Sequence, residues 1–224
     1  MATKRRCLQV EAIIDAAAKS VLFAGLGRCE IERLIAEFAP AVKHFEKGEI
    51  IVLEGDDVSA MGLIVGGCAQ AVKTNAAGDT LTAARLKIGD VFGDMLAASA
   101  HAKSPVTVQA ESACTVAFIK YASLFEPKQT PRVEVLKNML QNMSDKYFLQ
   151  EQRVSVLAEK NLKDRITRFL RYEARAQGTS AISVPPRAQL AATLACDRAA
   201  MCRVLGEMQK SGEIELLKNV IVVK

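Results

Sequence analysis

The spacing of apolar residues divides this chain into a helical start, a strand-rich middle and a helical second half. The apolar residues of segment 9–38 follow helical spacing up to Pro40, which predicts helix there. These residues are Leu26, Ile31, Leu34, Ile35 and Phe38. From residue 42 to 120, short runs rich in Val, Ile and Phe alternate with turns that contain Gly-Asp, Lys-Gly or Asn. This pattern predicts several short antiparallel strands in a small barrel or sandwich.

Residues 131–160 predict one long helix with a coiled-coil seam. Thr130 and Pro131 supply a cap followed by proline at the first helical position. The seam positions then recur in alternating steps of three and four residues, at Val133, Leu136, Leu140, Met143, Tyr147, Gln150, Val154 and Leu157. A helix of about 30 residues is roughly 45 Å long, which is more than one small domain covers. We therefore expect a homodimer that pairs two copies of this helix, and a long core helix within one chain is the alternative.

The seam contains one clearly polar residue, Gln150. A polar side chain at such a position fixes the register of paired helices at some cost in stability. It also suits contact with a ligand that lies beside the helix. The sequence leaves both roles open.

Two further helical segments follow, and the second of them predicts a helix-turn-helix. Asn161 with Asp164 three residues later forms a capping pattern, and Gly178 marks the end of that helix. In residues 187–212, two short apolar-faced helices flank a tight turn at Ala195, which is the helix-turn-helix arrangement. The inner faces comprise Leu190, Ala191, Leu194, Met201, Val204, Leu205 and Met208. Two strands about a turn at residues 218–219 then predict a wing.

The outer face of the second helix carries candidate DNA contacts. Asp197 caps this helix, and Arg198, Ala199, Cys202 and Arg203 lie on its solvent side near the N-terminal end. That end enters the major groove in helix-turn-helix proteins. Arginine suits guanine edges and phosphates because its planar fork offers paired donors.

Charge and composition agree with this interpretation. The formal net charge is +5, and residues 161–224 contain eleven basic and six acidic residues, so the excess positive charge lies in this segment. A basic C-terminal part suits a polyanionic partner, although a solvated helix face would also be basic. The N-terminus lacks the apolar stretch of a secretory leader, and no long apolar run predicts a membrane span. We therefore expect a cytoplasmic protein whose six cysteines are reduced.

Four motifs resemble the cyclic-AMP receptor/FNR (Crp/Fnr) superfamily of transcription regulators. They are FEKGEIIVLEGD, GDVFGD, KDRITRFL and CDRAAMCRVLGEMQKSGEI, and the resemblance covers roughly residues 20–224. It implies an α+β fold with a cyclic-nucleotide-binding-like jelly-roll barrel in residues 1–130. A dimerisation helix in residues 131–160 and a winged helix-turn-helix in residues 161–224 would follow. Members look like homodimers that bind near-palindromic operators and recruit or obstruct RNA polymerase.

The resemblance also assigns expected site residues. It places Arg198, Ala199, Cys202 and Arg203 on the base-contacting face and Arg187 at a DNA backbone contact. The chain departs from the cyclic-AMP receptor at Ala199, where that protein has a glutamate, so its operator should differ. Ala195 also stands at a turn position usually held by glycine, which implies strain if its φ is positive.

The sensor departs further from the family pattern. The resemblance places Gly93, Asp94, Met95, Lys103 and Ser104 in the effector pocket. It also places Gln150 and Glu151 where the dimer helix touches the effector. Asp94 replaces the family's glutamate, and Lys103-Ser104 stands where an arginine neutralises the cyclic phosphate. A lysine holds phosphate as a point charge without the bidentate fork, so we expect a small effector other than cyclic AMP.

Two cofactor classes known in the family fit the sequence less well. The iron–sulfur type uses closely spaced N-terminal cysteines, whereas only Cys7 and Cys29 lie in that part of the chain. Haem would need an axial ligand such as His44, His101 or a cysteine, and it stays open as an alternative. Lone histidines are more often structural or surface residues.

The sequence therefore favours a homodimeric, effector-gated, sequence-specific DNA-binding regulator. One alternative is a ligand-binding regulatory subunit that acts through protein–protein contacts at residues 187–224. Another is a haem-dependent, gas-sensing member of the same family. The sequence shows no Ser-His-Asp, phosphate-loop or metal-ligand arrangement, so we expect neither catalytic residues nor a metal site.

Overall fold

The computed structural model of the chain describes residues 2–74, 80–96, 99, 103–125 and 130–224. It divides into two compact units, Met1–Ser144 and Asp145–Lys224. Each unit buries apolar side chains of its own. Among the described residues, no helix combines the length and apolar character that crossing a bilayer requires.

The elements are mixed helix and strand. The helices are α1 (Ala2–Ala17), α2 (Arg28–Phe38), α3 (Tyr121–Phe125), α4 (Thr130–Leu157), α5 (Leu162–Gln177), α6 (Arg187–Thr193) and α7 (Arg198–Lys210). The strands of the first unit are β1 (Ala41–Phe45), β2 (Ile50–Val52), β3 (Ala60–Gly66), β4 (Ala69–Thr74), β5 (Thr80–Leu86), β6 (Val91–Phe92), β7 (Thr107–Ala110) and β8 (Cys114–Lys120). Those of the second unit are β9 (Ala181–Ser183), β10 (Ile214–Leu216) and β11 (Val220–Val223).

The strands of the first unit form two four-stranded antiparallel sheets. Their strand orders are β1-β8-β3-β6 and β2-β7-β4-β5. Between the sheets, the ring of Phe92 packs edge-on against Phe118, with ring centroids 6.2 Å apart. Gly62 on β3 makes room for this ring, since a Cβ there would lie only 2.1 Å from Phe92 Cζ. This sheet pair and the winged C-terminal unit confirm the predicted α+β fold class.

The helical prediction for residues 9–38 needs a correction. Two α-helices replace one continuous stretch, with α1 beginning at Ala2 and α2 at Arg28. Between them, residues 21–23 form a 3₁₀ turn in which the Leu22 amide donates a hydrogen bond to the Ser20 hydroxyl. Gly25 follows with φ +81°, a conformation that glycine adopts without strain and that no α-helix contains. Helical spacing alone does not locate this break.

Helix α4 buries one side and exposes another. Val135 and Met139 are buried in the first unit, and Val156 is buried in the second. Leu136 and Met143 of the predicted seam pack partly against the core of the first unit. The other apolar seam residues are 43–65% exposed, namely Val133, Leu140, Tyr147, Val154 and Leu157. Within each unit, the described residues therefore leave these apolar side chains of α4 exposed.

The second unit packs α5, α6 and α7 against a three-stranded sheet of order β10-β11-β9. The predicted caps of α5 are confirmed. The Asn161 side chain accepts a 2.8 Å hydrogen bond from the Asp164 amide, and Gly178 ends the helix with φ +64°. The β10–β11 hairpin turns between Leu216 and Val220, which includes the predicted turn at residues 218–219.

Candidate nucleic-acid interface and sensor site

Helices α6 and α7 meet at a tight turn over residues 194–196. Ala195 has φ +48°, so the strain expected at this position is present. The Cys196 amide donates to the Ala191 carbonyl at 3.1 Å and closes the turn. The facing sides of the helices bury Leu190, Ala191, Leu194, Met201, Leu205 and Met208. The pair is thus a packed helix-turn-helix.

Asp197 sits at the N-cap of α7. Its carboxylate accepts a 2.9 Å hydrogen bond from the Ala200 amide. This bond satisfies one of the orphan amides of the first helical turn, and a carboxylate there complements the helix dipole. The cap fixes where α7 begins, and therefore which residues occupy its exposed first turns.

Four expected DNA-contact residues share one exposed face of α7. Arg198, Ala199, Cys202 and Arg203 are all exposed, and they span an arc of about 140° at 3.6 residues per turn. Met201 and Leu205, on the packed side of the helix, are at most 1% exposed. The face therefore presents two guanidinium groups at the N-terminal half of the helix, while Met201, Leu205 and Met208 pack against the rest of the unit.

Arg187 is the first residue of α6. It is half-buried, and its Nη1 atom is buried without a hydrogen-bond partner in the described part of the chain. A buried guanidinium donor without an acceptor is costly, so an external acceptor at this position would be stabilising. The structure places Arg187 in the same unit as the α7 face.

The sensor residues Gly93, Asp94 and Met95 follow β6. Gly93 has φ +75°, and its carbonyl accepts a 2.6 Å hydrogen bond from the Tyr121 hydroxyl. Asp94 is 2% exposed, and its carboxylate accepts a 2.7 Å hydrogen bond from Asn142 on α4. Burial, together with the Asp94 charge, raises the pKa of Tyr121 to about 12. Met95 is about half exposed.

Lys103 and Ser104 are tied to the loop between β2 and β3. The Lys103 ammonium lies 3.3 Å from the Gly55 carbonyl and 3.7 Å from the Asp57 carboxylate. Ser104 is buried, and its hydroxyl donates to the Val106 carbonyl at 2.6 Å. Both side chains thus have partners within their own unit. Residues 97–98 and 100–102, which separate them from Asp94, lie outside the described residues.

Gln150 and Glu151 are exposed on α4, in the second unit. Gln150 stands within the stripe of seam residues, as its spacing predicts. The structure therefore presents it on the face of α4 that the chain leaves uncovered.

Comparisons with known proteins agree with the fold described for the two units. Residues 42–127 match the family model described as "Cyclic nucleotide-binding domain". The "Global nitrogen regulator" of Synechococcus elongatus is 25% identical over 196 residues, which is 81% of this chain and 85% of that protein. The Thermus thermophilus catabolite activator protein has the same fold, with a TM-score of 0.57 and 18% identity over 92% of this chain and 94% of its own. The global regulator CLP of Xanthomonas campestris, described as c-di-GMP responsive, gives a TM-score of 0.55 and 19% identity over 88% and 99% of the two chains.

The chain therefore contains a cyclic nucleotide-binding domain at residues 42–127, is similar to the global nitrogen regulator over most of its length, and has the fold of the catabolite activator protein. The resemblance inferred from its motifs is thereby confirmed.

Sequence patterns missed two features of this chain that position the site. Strand β9 adds a third strand to the wing, pairing Ile182 with Ile221. The apolar alternation at Ile182 and Val184 was the available signal. Arg165 on α5 donates to the carbonyls of Leu194 and Ala195 in the helix-turn-helix, at 3.0 and 3.3 Å. Charge counting alone does not distinguish this arginine from exposed ones.

Of the two histidines considered as haem ligands, the structure describes one. His44 shares a 2.9 Å hydrogen bond between its Nδ1 and the Thr115 hydroxyl. It lines a cavity of about 490 Å³ beside α1, with Leu8 and Val65 among the other lining residues. His101 lies outside the described residues. Within the described part of the chain, no group of three or more His, Cys, Asp and Glu residues could hold a metal ion.

Proposed function

We propose that this protein is a homodimeric, sequence-specific DNA-binding transcription regulator. The observation that carries the proposal is the exposed face of α7, where Arg198 and Arg203 stand near the N-terminus of the second helix of a packed helix-turn-helix. In such motifs this part of the helix contacts base edges in the major groove. Guanidinium groups there suit guanine edges or phosphates. Ala199 and Cys202 between them add a small apolar contact surface.

Arg187 and the wing extend this surface. Arg187 is only partly buried at the start of α6, and the family resemblance places it at a phosphate, so we assign this residue to the DNA backbone. The excess of basic residues in segment 161–224 favours such contacts. The wing hairpin of β10 and β11 is the second element of the proposed contact.

The dimer is proposed from α4. A 28-residue helix reaches about 42 Å at 1.5 Å per residue, and it exposes apolar residues at coiled-coil spacing. Exposed apolar stripes of this kind mark association surfaces. Pairing of α4 with its copy would bring two α7 helices to one DNA duplex, with half-sites about 34 Å apart.

We propose that a small effector in the first unit gates this dimer, and that the effector is not cyclic AMP. Asp94 is buried and bonded to Asn142, and Lys103 is paired with Asp57 and Gly55. Lysine also lacks the bidentate fork of arginine for a cyclic phosphate. The fold serves other ligands, since the similar CLP is described as c-di-GMP responsive. Effector binding would shift the population of α4 arrangements and so the spacing of the α7 helices.

The regulator would act at promoters in the cytoplasm, where it recruits or obstructs RNA polymerase. In vitro transcription from a template carrying the selected operator distinguishes activation from repression. A regulatory subunit that docks proteins through residues 187–224 is the competing proposal. DNA binding weakens steeply as salt rises, whereas docking between proteins depends on salt much less.

Selection from a random DNA pool tests the proposed function. The purified full-length chain, with and without the small-molecule fraction of a cell extract, should enrich a near-palindromic sequence, with binding then measured by fluorescence anisotropy. Replacing Arg198 or Arg203 with alanine should weaken operator binding by about 1–3 kcal/mol, because each loses paired donors to the DNA. Lys210→Ala, at the far end of α7, is the matched control and should change affinity little. If no sequence is enriched under either condition, the proposed function is wrong.

A further inference from the structure

Arg165 joins two parts of the second unit that are separate in the sequence. One of its terminal nitrogens, Nη1, donates to the carbonyls of Leu194 and Ala195 at 3.0 and 3.3 Å. The other, Nη2, donates to the carbonyl of Glu159 at 3.1 Å. Glu159 lies two residues beyond the last residue of α4, and Leu194 and Ala195 form the turn before α7. One guanidinium thus bonds to the exit of the long helix and to the helix-turn-helix.

The turn that Arg165 holds is the strained one. Leu194 is the C-cap of α6 and Ala195 has φ +48°, so both carbonyls belong to the helix end where acceptors are left without helical donors. A cation near a helix C-terminus is favourable, and hydrogen bonds from charged donors are stronger than neutral ones. The contact therefore stabilises a conformation that alanine adopts only at a cost.

The other end of the contact is also fixed. The Glu159 carboxylate forms a 2.5 Å ion pair with Arg168, one turn further along α5. Asn161 caps α5 between these residues. Side chains from the start of α5 therefore fix the segment that connects α4 to α5. Arg165 also bonds to the turn before α7 and so connects that turn to this segment.

We propose that Arg165 is a positioning residue that fixes the orientation of the helix-turn-helix relative to the end of α4. This inference rests on the proposed DNA-binding function, and it explains how the end of α4 is connected to the helix-turn-helix. Arginine suits the role because its planar fork reaches acceptors in two directions at once. Lysine keeps the positive charge but has a single ammonium group. It can donate to the carbonyls of the turn before α7 or to the Glu159 carbonyl, but it does not hold both sets of acceptors at a fixed geometry.

If Arg165 fixes the orientation of the helix-turn-helix, DNA affinity should depend on the spacing between the two operator half-sites. Two α7 helices held at a fixed orientation match only one separation of operator half-sites. Inserting one base pair shifts a half-site by about 3.4 Å and rotates it by roughly 35° about the duplex. The wild-type dimer should then lose affinity, whereas a dimer with a loosened helix-turn-helix should adapt to the new spacing. A merely structural role would weaken binding equally at every spacing.

The experiment measures binding of full-length wild type and Arg165→Lys to the selected operator and to versions with one base pair inserted or removed at the centre. Wild type should lose at least about tenfold in affinity on altered spacing, comparable to a mismatch, and Arg165→Lys less than about threefold. Arg175→Lys is the matched control, because Arg175 is an exposed arginine near the other end of the same helix. It should retain the wild-type spacing penalty.

Arg165→Gln is measured in parallel, with circular dichroism to check that both variants fold. Equal spacing penalties in wild type and the folded Arg165 variants would overturn this inference and leave the proposed function standing. Loss of folding in both variants would also overturn it, because Arg165 would then be needed to build the unit. A wild-type chain that enriches no DNA sequence removes the proposed function and this inference with it.

Discussion

The side-chain amide of Asn142 on α4 donates a 2.7 Å hydrogen bond to the buried carboxylate of Asp94, which lies 48 residues earlier in the chain. Asp94 follows β6 at the position where the Crp/Fnr resemblance predicts an effector contact, yet it is 2% exposed. The carboxylate is therefore part of the internal structure of the first unit. Any effector that uses Asp94 has to compete with this bond.

Replacing Asn142 with alanine should destabilise the first unit by about 1–3 kcal/mol. The reason is that a buried, charged acceptor loses a donor without gaining water. Urea unfolding followed by circular dichroism measures the change. Gln141→Ala, an exposed position on the same helix, should stay within about 0.5 kcal/mol of wild type. Equal stability of Asn142→Ala and wild type would show that the bond contributes nothing.

Ionisation of Tyr121 should lower the free energy of unfolding at high pH. Burial and the nearby Asp94 charge raise its pKa to about 12 from the ordinary 10.0. The folded chain thus holds the phenol proton more tightly than the unfolded chain does. The stabilising contribution is complete below pH 10 and is lost as pH rises towards 12, to a total of about 3 kcal/mol.

Urea unfolding of wild type and Tyr121→Phe between pH 8 and 11.5 isolates this contribution, because the other titrating groups are common to both chains. At pH 8 the variant lacks the 2.6 Å bond to the Gly93 carbonyl and should be less stable. The difference between the two chains should shrink as pH exceeds 10. A difference that stays constant over this range would contradict the raised pKa.

Gly62→Ala should destabilise the sensor barrel by about 1–3 kcal/mol through overpacking. The added Cβ would lie 2.1 Å from Phe92 Cζ, inside the aromatic cluster between the sheets. Gly66→Ala on the same strand is the matched control, since its Cβ would meet Thr115 at 3.8 Å, an ordinary contact. Thermal unfolding distinguishes the two, and equal midpoints would mean that Phe92 moves aside without cost.

Leu140→Glu should dissociate the proposed dimer without unfolding the chain. Leu140 is 65% exposed in the single chain, so a charge there costs little until α4 pairs with its copy. Sedimentation velocity at micromolar concentration should show a monomer with native circular dichroism. Gln141→Glu places the same charge beside the seam and should remain dimeric. A dimeric Leu140→Glu variant would move the interface away from this stripe.

Local signals predicted most of the element order. Asn161 and Asp197 cap their helices where the sequence indicated, because a cap depends on atoms only two or three residues apart. The short apolar runs separated by turn residues between residues 42 and 120 predicted the barrel, because strands and tight turns also depend on neighbouring residues. The apolar spacing predicted helix over residues 9–38 but did not locate the break between α1 and α2, where Gly25 has a positive φ.

The sequence by itself determined the resemblance to the Crp/Fnr superfamily, the exposed arginines of α7 and the long helix with its apolar stripe. These features follow from motifs, periodicity and capping, which depend on residues close together in the chain. Only the tertiary structure decided that Asp94 bonds to Asn142 and that Arg165 holds the turn at Ala195. These contacts join residues 30 or more positions apart. Their geometry follows from how whole helices and sheets pack, and no pattern within a short window carries that information.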